Sequence, residues 1–283
     1  MSEDFKLGEL VPTVVKPAIY AYKYRHFIQQ HWKSLQIAAG FGTPQVLVTG
    51  RSGVGKSVLV AHYHGEANSH TWNLPASSPD VEIKPISIGD WTKIVSVVPG
   101  QDSRERTIAL DNSFNKFDGL EGVIHVVDWG YTAVRDEAIR GAVVSGGTDT
   151  VELFRQRNLK LELEDFNYMI ERMIMSITNN RGPKWLVVAI NKIDLYLDQL
   201  AEATGYYHPS AGGEFSEAIQ KLYRAVGANN IKVVCVLVCS CPEPFSWNGV
   251  YVRSKIDSVT EYKGYLRRFI EQVAIVQQGA NKK

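Results

Sequence analysis

Apolar positions fall into short runs separated by polar, glycine-containing stretches. Val46–Val48, Val81–Ile88, Thr92–Val98, Val123–Val127, Trp185–Ile190 and Val233–Val238 read as strands. The second and third are joined tightly through Gly89-Asp90. Between them lie stretches with three- and four-residue apolar spacing, which predict helices over Ser57–His64, Leu161–Ile177, Glu214–Val226 and Thr260–Val276. Buried strands alternating with helices predict an α/β fold, a mostly parallel sheet covered on both faces. Upstream, Tyr20, Tyr24, Phe27, Ile28, His31, Leu35 and Ala38 share one face of a predicted helix over 18–39, ended by Gly40 and Gly42. Residues 129–160 interrupt the alternation with Gly141, Gly146, Gly147 and a Ser/Thr-rich stretch, and read as a functional insertion or partial disorder. The expected division is an N-terminal extension over 1–43 and a domain over 44–280 carrying that insertion.

One segment concentrates chemistry. Gly50-Arg51-Ser52-Gly53-Val54-Gly55-Lys56-Ser57 fits G-x-x-x-x-G-K-[ST] and lies between a buried strand and a helix. The glycines let backbone N–H groups converge on anionic oxygens. The helix N-terminus behind them adds about half a positive charge. Lys56 brings a point charge to β- and γ-phosphates, and the Ser57 hydroxyl is a ligand type for Mg²⁺. Asn191-Lys192-Ile193-Asp194 follows the Trp185–Ile190 strand directly, which puts it on the same rim of the sheet. A carboxylate at Asp194 accepts two hydrogen bonds from an N–H and an NH₂ presented side by side, the edge of guanine. Adenine lacks that pair, a mismatch on the order of 10⁴-fold. Asn191 and Lys192 are expected to support the loop and cover the base.

These two motifs, with the order of elements around them, resemble the Ras-like small GTPases over about residues 44–280. The resemblance implies a P-loop Ras-like fold with a six-stranded sheet and an N-terminal helical extension. It implies GTP and GDP as ligands, Mg²⁺ as cofactor, GTPase activity that is slow without an activator, and an effector or regulator that reads the switch segments. Cys239-Ser240-Cys241 is similar to the family's weak last motif, in which the N–H after the Ser meets the guanine carbonyl. Where the family carries D-x-x-G-Q, this chain reads Val97-Val98-Pro99-Gly100-Gln101. Gly100 is implied to sense the γ-phosphate and Gln101 to orient the attacking water, whereas Val97 cannot hold a hydrated cation. The P-G-Q ending resembles the bacterial MglA-type cell-polarity GTPases most nearly, beside Arf-like proteins. The Mg²⁺-binding hydroxyl of the first switch stays open among Thr71, Ser77 and Ser78. Ser52 stands where glycine is common in the family, and Arg104 or Arg106 is a weak candidate for an internal arginine finger.

Charge and composition trim the alternatives. Lys+Arg total 31 against 30 Asp+Glu, a balance of +1, which argues against nucleic acid as a partner. The longest apolar run, Val233–Cys239, is far short of the roughly 20 residues of a spanning helix. The acidic start Met1-Ser2-Glu3-Asp4 has no apolar run behind it, and three cysteines make no disulfide framework, so a cytoplasmic protein is expected. Helix 18–39 reads as packing against the domain, or as a docking or peripheral membrane element. His62, His64 and His70 do not suggest a metal site, Cys235, Cys239 and Cys241 read as strand packing, and Asp128 reads as structural. Three rival classes remain: a pseudo-GTPase, an ATP-dependent kinase or ATPase, and a scaffold subunit with structural nucleotide.

Overall fold

The computed structural model describes residues 45–64, 67, 82–88, 91–98, 104–116, 120–134 and 136–281. The predicted helix 18–39, the extension 1–43, Gly100, Gln101, Thr71, Ser77 and Ser78 lie outside these residues.

Among the described residues, six strands form one sheet: β1 (Val46–Thr49), β2 (Glu82–Ile88), β3 (Trp91–Val97), β4 (Gly122–Val127), β5 (Trp185–Ile190) and β6 (Lys232–Leu237). Their order is β2-β3-β1-β4-β5-β6. β2 and β3 are antiparallel, and every other pairing is parallel, in registers such as Leu47 opposite Val123 and Val127 opposite Ile190. Alternate residues of the central strands face opposite cores, as the two-residue period of a strand requires. Leu47, Val123, Val127, Leu186 and Val188 point to one layer, and Val46, Val48, Ile124, Val126 and Val187 to the other.

The first layer is built by α4 (Val151–Thr178) and α6 (Glu214–Val226), the second by α1 (Lys56–His64) and α7 (Val259–Asn281). α2 (Arg104–Lys116), α3 (Glu137–Ser145) and α5 (Leu200–Tyr207) complete the helices described. α6 buries Phe215, Ala218, Ile219, Leu222 and Val226 at helical spacing and stops at Gly227, whose positive φ of 84° favours glycine. A hairpin of β7 (Phe245–Trp247) and β8 (Val250–Val252) turns through Asn248-Gly249, both with positive φ.

One expectation is corrected, and two further helices appear that the apolar pattern did not mark. The helix expected from Leu161 starts ten residues earlier, capped by the Thr150 hydroxyl, which accepts from Leu153 N at 3.2 Å. Its inward face there carries Arg155, Asn158 and Glu162 alongside Phe154, so the apolar period is broken although the positions are buried. The stretch 129–160 is therefore ordered over much of its length, with α3 capped by the Asp136 carboxylate at 3.0 Å from Ile139 N. α3 buries no residue fully and gave no apolar stripe to detect. α2 was absent from the sequence reading for a similar reason: Ala109, Leu110, Ser113 and Phe114 are its only inward residues with described burial.

Gly122 opens β4 because a Cβ there would lie 1.9 Å from Cε2 of the buried Trp185 ring. Gly122→Ala is expected to destabilise the chain by about 1–3 kcal/mol through overpacking, measured by urea denaturation.

Candidate nucleotide site

Beyond the carboxyl end of β1 the chain turns through Gly50, Gly53 and Gly55, with φ of 128°, 84° and 94°. Only glycine adopts these angles without strain. Each position is also crowded: a Cβ would come within 2.3 Å of Val126 O, 2.4 Å of Ala133 O and 2.5 Å of Asn191 Nδ2 respectively. Lys56, in the first turn of α1, folds back over the loop and donates to Gly50 O at 2.8 Å and Arg51 O at 2.9 Å. Two of its three hydrogens thus tie the ammonium to carbonyls of the loop. Val54 is buried, Ser52 and Ser57 are half-buried, and Ser57 follows Lys56 in the same helical turn.

The tetrad after β5 reaches this loop. Asn191 Nδ2 donates to Val54 O at 2.8 Å and to Ser240 Oγ at 2.9 Å, and its Oδ1 accepts from Ser240 N at 2.9 Å. Lys192, in a left-handed conformation (φ 58°), donates to Gly53 O, Asp128 Oδ2 and Tyr131 O, each at 2.7 Å. The sequence motifs 50–57 and 191–194 are therefore one bonded unit, with Ser240 as a third member. Cys241 follows, half-buried.

Asp194 is 0% exposed. Its Oδ1 accepts from Cys239 Sγ at 3.4 Å, while Oδ2 is buried without a hydrogen bond. Burial raises its pKa, opposed by the Cys239 thiol, the Ser254 hydroxyl, its own amide and the Lys192 charge. Segment 253–256 lies over it: Lys255 N donates to Asp194 O at 2.8 Å, and the Lys255 ammonium pairs with Asp198. A base that reaches Oδ2 has to displace part of this cover.

Asp128 and Cys239, read as structural and as strand packing, both touch the tetrad after β5. Asp128 holds Lys192, and Cys239 touches Asp194, where burial and then that carboxylate push its thiol pKa up. The position of Asp128 at the end of β4, on the same rim, was the available signal. Asn158 was missed: it bonds Arg51 Nη1 at 3.3 Å and Gly130 O at 2.9 Å, and nothing in its local sequence marks it. Val97 is 3% exposed and packs with Val46 and Val95 in the core, so it presents no oxygen to the rim. No group of three or more His, Cys, Asp or Glu suited to a metal occurs among the described residues. None of their helices is long and apolar enough to cross a membrane.

No family model and no curated protein matches the sequence. Among solved structures it is similar to an ADP ribosylation factor-like GTP binding protein (small COPII coat GTPase Sar1) from Encephalitozoon cuniculi in complex with GDP, at 18% identity over 94% of this chain and 92% of that one, TM-score 0.37. It is similar to the Arl6 small GTPase of Trypanosoma brucei with bound GppNp, at 13% identity over 81% of this chain and 98% of that one, TM-score 0.36. It is also similar to a dimerization-deficient Toc33 from Arabidopsis thaliana, at 13% identity over 92% and 93% of the two chains, TM-score 0.41.

Asn191→Ala leaves Val54 O and both polar groups of Ser240 without their buried partner. A loss of about 1–3 kcal/mol in the nucleotide-free protein is expected by denaturant titration.

Proposed function

We propose that this chain binds guanine nucleotide, hydrolyses GTP slowly and acts as a nucleotide-dependent switch of the Ras-like kind, nearest to the MglA-type and Arf-like branch. One observation carries the reading: Asn191 and Lys192 are bonded to carbonyls of the Gly50–Ser57 loop, while Asp194 in the same turn keeps a buried oxygen without a donor. A triphosphate in the loop and a purine at Asp194 make a single ligand. An imino and an amino hydrogen side by side would satisfy that carboxylate, and adenine offers no such pair.

In this reading the loop amides and the Lys56 ammonium stabilise charge that develops on the phosphates. Cys241 N–H would meet the guanine carbonyl. The donor set fits Mg²⁺ sparingly: Ser57 supplies a hydroxyl behind the loop, and Val97 supplies nothing. Ser57 and phosphate oxygens would hold the ion, which when bound neutralises charge on the β- and γ-oxygens. Gln101 is assigned to orient the attacking water, and Gly100 to sense the γ-phosphate. An effector would read segments 71–78 and 100–106, and helix 18–39 would dock to a partner or a membrane surface.

A second reading is favoured by the burial of Val97: a pseudo-GTPase or scaffold subunit that holds nucleotide with little turnover. Competition of GTP against ATP tests the first claim. Preference for GTP is expected, with Asp194→Asn losing it and gaining xanthosine nucleotides; tighter binding of ATP would overturn the assignment. Single-turnover hydrolysis separates the two readings. A working switch loses about 10²-fold or more in rate on Gln101→Ala, and a scaffold has no rate to lose.

A further inference from the structure

The turn that follows β4 is held from behind by a group not used above. Trp129 and Gly130 have φ of 49° and 81°, and the amides of residues 128, 129 and 130 point to one side of the chain. Glu162 of α4, 1% exposed, fills that side. Its Oε1 accepts from Asp128 N at 3.2 Å and Gly130 N at 3.1 Å, and its Oε2 accepts from Tyr207 OH. The same phenol oxygen accepts from Trp129 N at 3.0 Å. Glu162 and Tyr207 together take up all three amides.

The front of the turn does something else. Asp128 Oδ2 and Tyr131 O hold the Lys192 ammonium, which holds Gly53 O. Thr132 Oγ1 donates to Asp128 Oδ1 at 2.7 Å, fixing the carboxylate. Ala133 O closes on Gly53 so tightly that a Cβ has no room. The turn 128–133 is thus wedged between a buried carboxyl group and the phosphate loop.

We propose that Glu162 is a positioning residue, setting turn 128–133 against the Gly50–Ser57 loop and thereby controlling how fast guanine nucleotide is released. The inference rests on the nucleotide reading above. Burial, and then the neighbouring Asp128 carboxylate, push the Glu162 pKa up to about 8. Facing groups are Asp128 after β4, Tyr196 after β5, and Tyr206 and Tyr207 on α5, with Lys192 beyond Asp128. Burial and Asp128 thus favour the neutral form, against the amides and the Tyr207 hydroxyl, which favour the charged one. Ionisation above its pKa places a second negative charge beside Asp128, and the repulsion between the two carboxylates loosens the turn that both of them hold. The linkage has a definite sign. A carboxyl pKa raised by folding contributes stability below its unfolded value, 4.5, which is lost as pH climbs through about 8.

Release of a fluorescent GDP from the full chain is the test. In wild type the release rate should rise about fivefold from pH 6.5 to pH 9, with a midpoint near 8. Glu162→Gln, a neutral isostere, should match wild type at the lower pH and stay flat. Glu162→Ala should release about tenfold faster at every pH. A wild-type pH profile in Glu162→Gln, or wild-type release from a folded Glu162→Ala, overturns the proposal. A second readout needs no nucleotide. The backbone amide resonance of Trp129 in ¹⁵N-tryptophan-labelled protein, assigned through Trp129→Phe, should titrate near pH 8 and not in Glu162→Gln. If wild type binds no guanine nucleotide, the base assignment falls, and this titration still decides whether Glu162 governs the turn. Absence of any titration there overturns it.

Discussion

The ammonium of Lys192 is shared among three oxygens that come from three parts of the chain: the phosphate loop at Gly53, the end of β4 at Asp128, and the turn at Tyr131. The site exists because these contacts are made together. β1, β4 and β5 are neighbours in the sheet, so their carboxyl ends emerge side by side. A left-handed Lys192 then directs a long, flexible side chain sideways across that edge instead of outward. Asn191 makes the matching tie toward β6 through Ser240. An ion pair alone would add little at a surface, but Asp128 is fully buried, and a charge-assisted contact there is costly to break.

Much of this was legible in the residues. The strand alternation and both motifs were plain, because chemistry that needs glycine angles or a particular acceptor leaves few choices of residue type. What escaped is equally instructive. The first ten residues of α4 hide their inward face, since Arg155 and Asn158 serve polar partners there and interrupt the apolar period. Arg155 lies with its guanidinium 4.0 Å from the Trp129 ring centre and 4.9 Å from that of Tyr131, a sandwich between residues that spacing alone does not pair. The Asn248-Gly249 turn, by contrast, is a strong local hairpin signal between alternating apolar residues, and it was passed over.

The segment between β6 and α7 gives the base side of the rim its own character. Trp247 donates through Nε1 to Thr148 O at 3.0 Å and Asn248 through Nδ2 to Asp149 O at 3.0 Å. The hairpin is therefore fastened just ahead of the Thr150 cap. Phe245 and Trp247 stack on Phe154, and Phe245 meets Tyr131 edge-on. The hairpin and the turn after β4 consequently lean on the same opening turns of one 28-residue helix.

The stranded oxygen of Asp194 has a thermodynamic meaning of its own. A buried acceptor that meets no well-placed protein donor costs about 1–3 kcal/mol. A visitor with matching hydrogens recovers that deficit on arrival, while a poorly matched one inherits it. On the proposed reading, selectivity is thus set by a cost the protein already carries before anything binds.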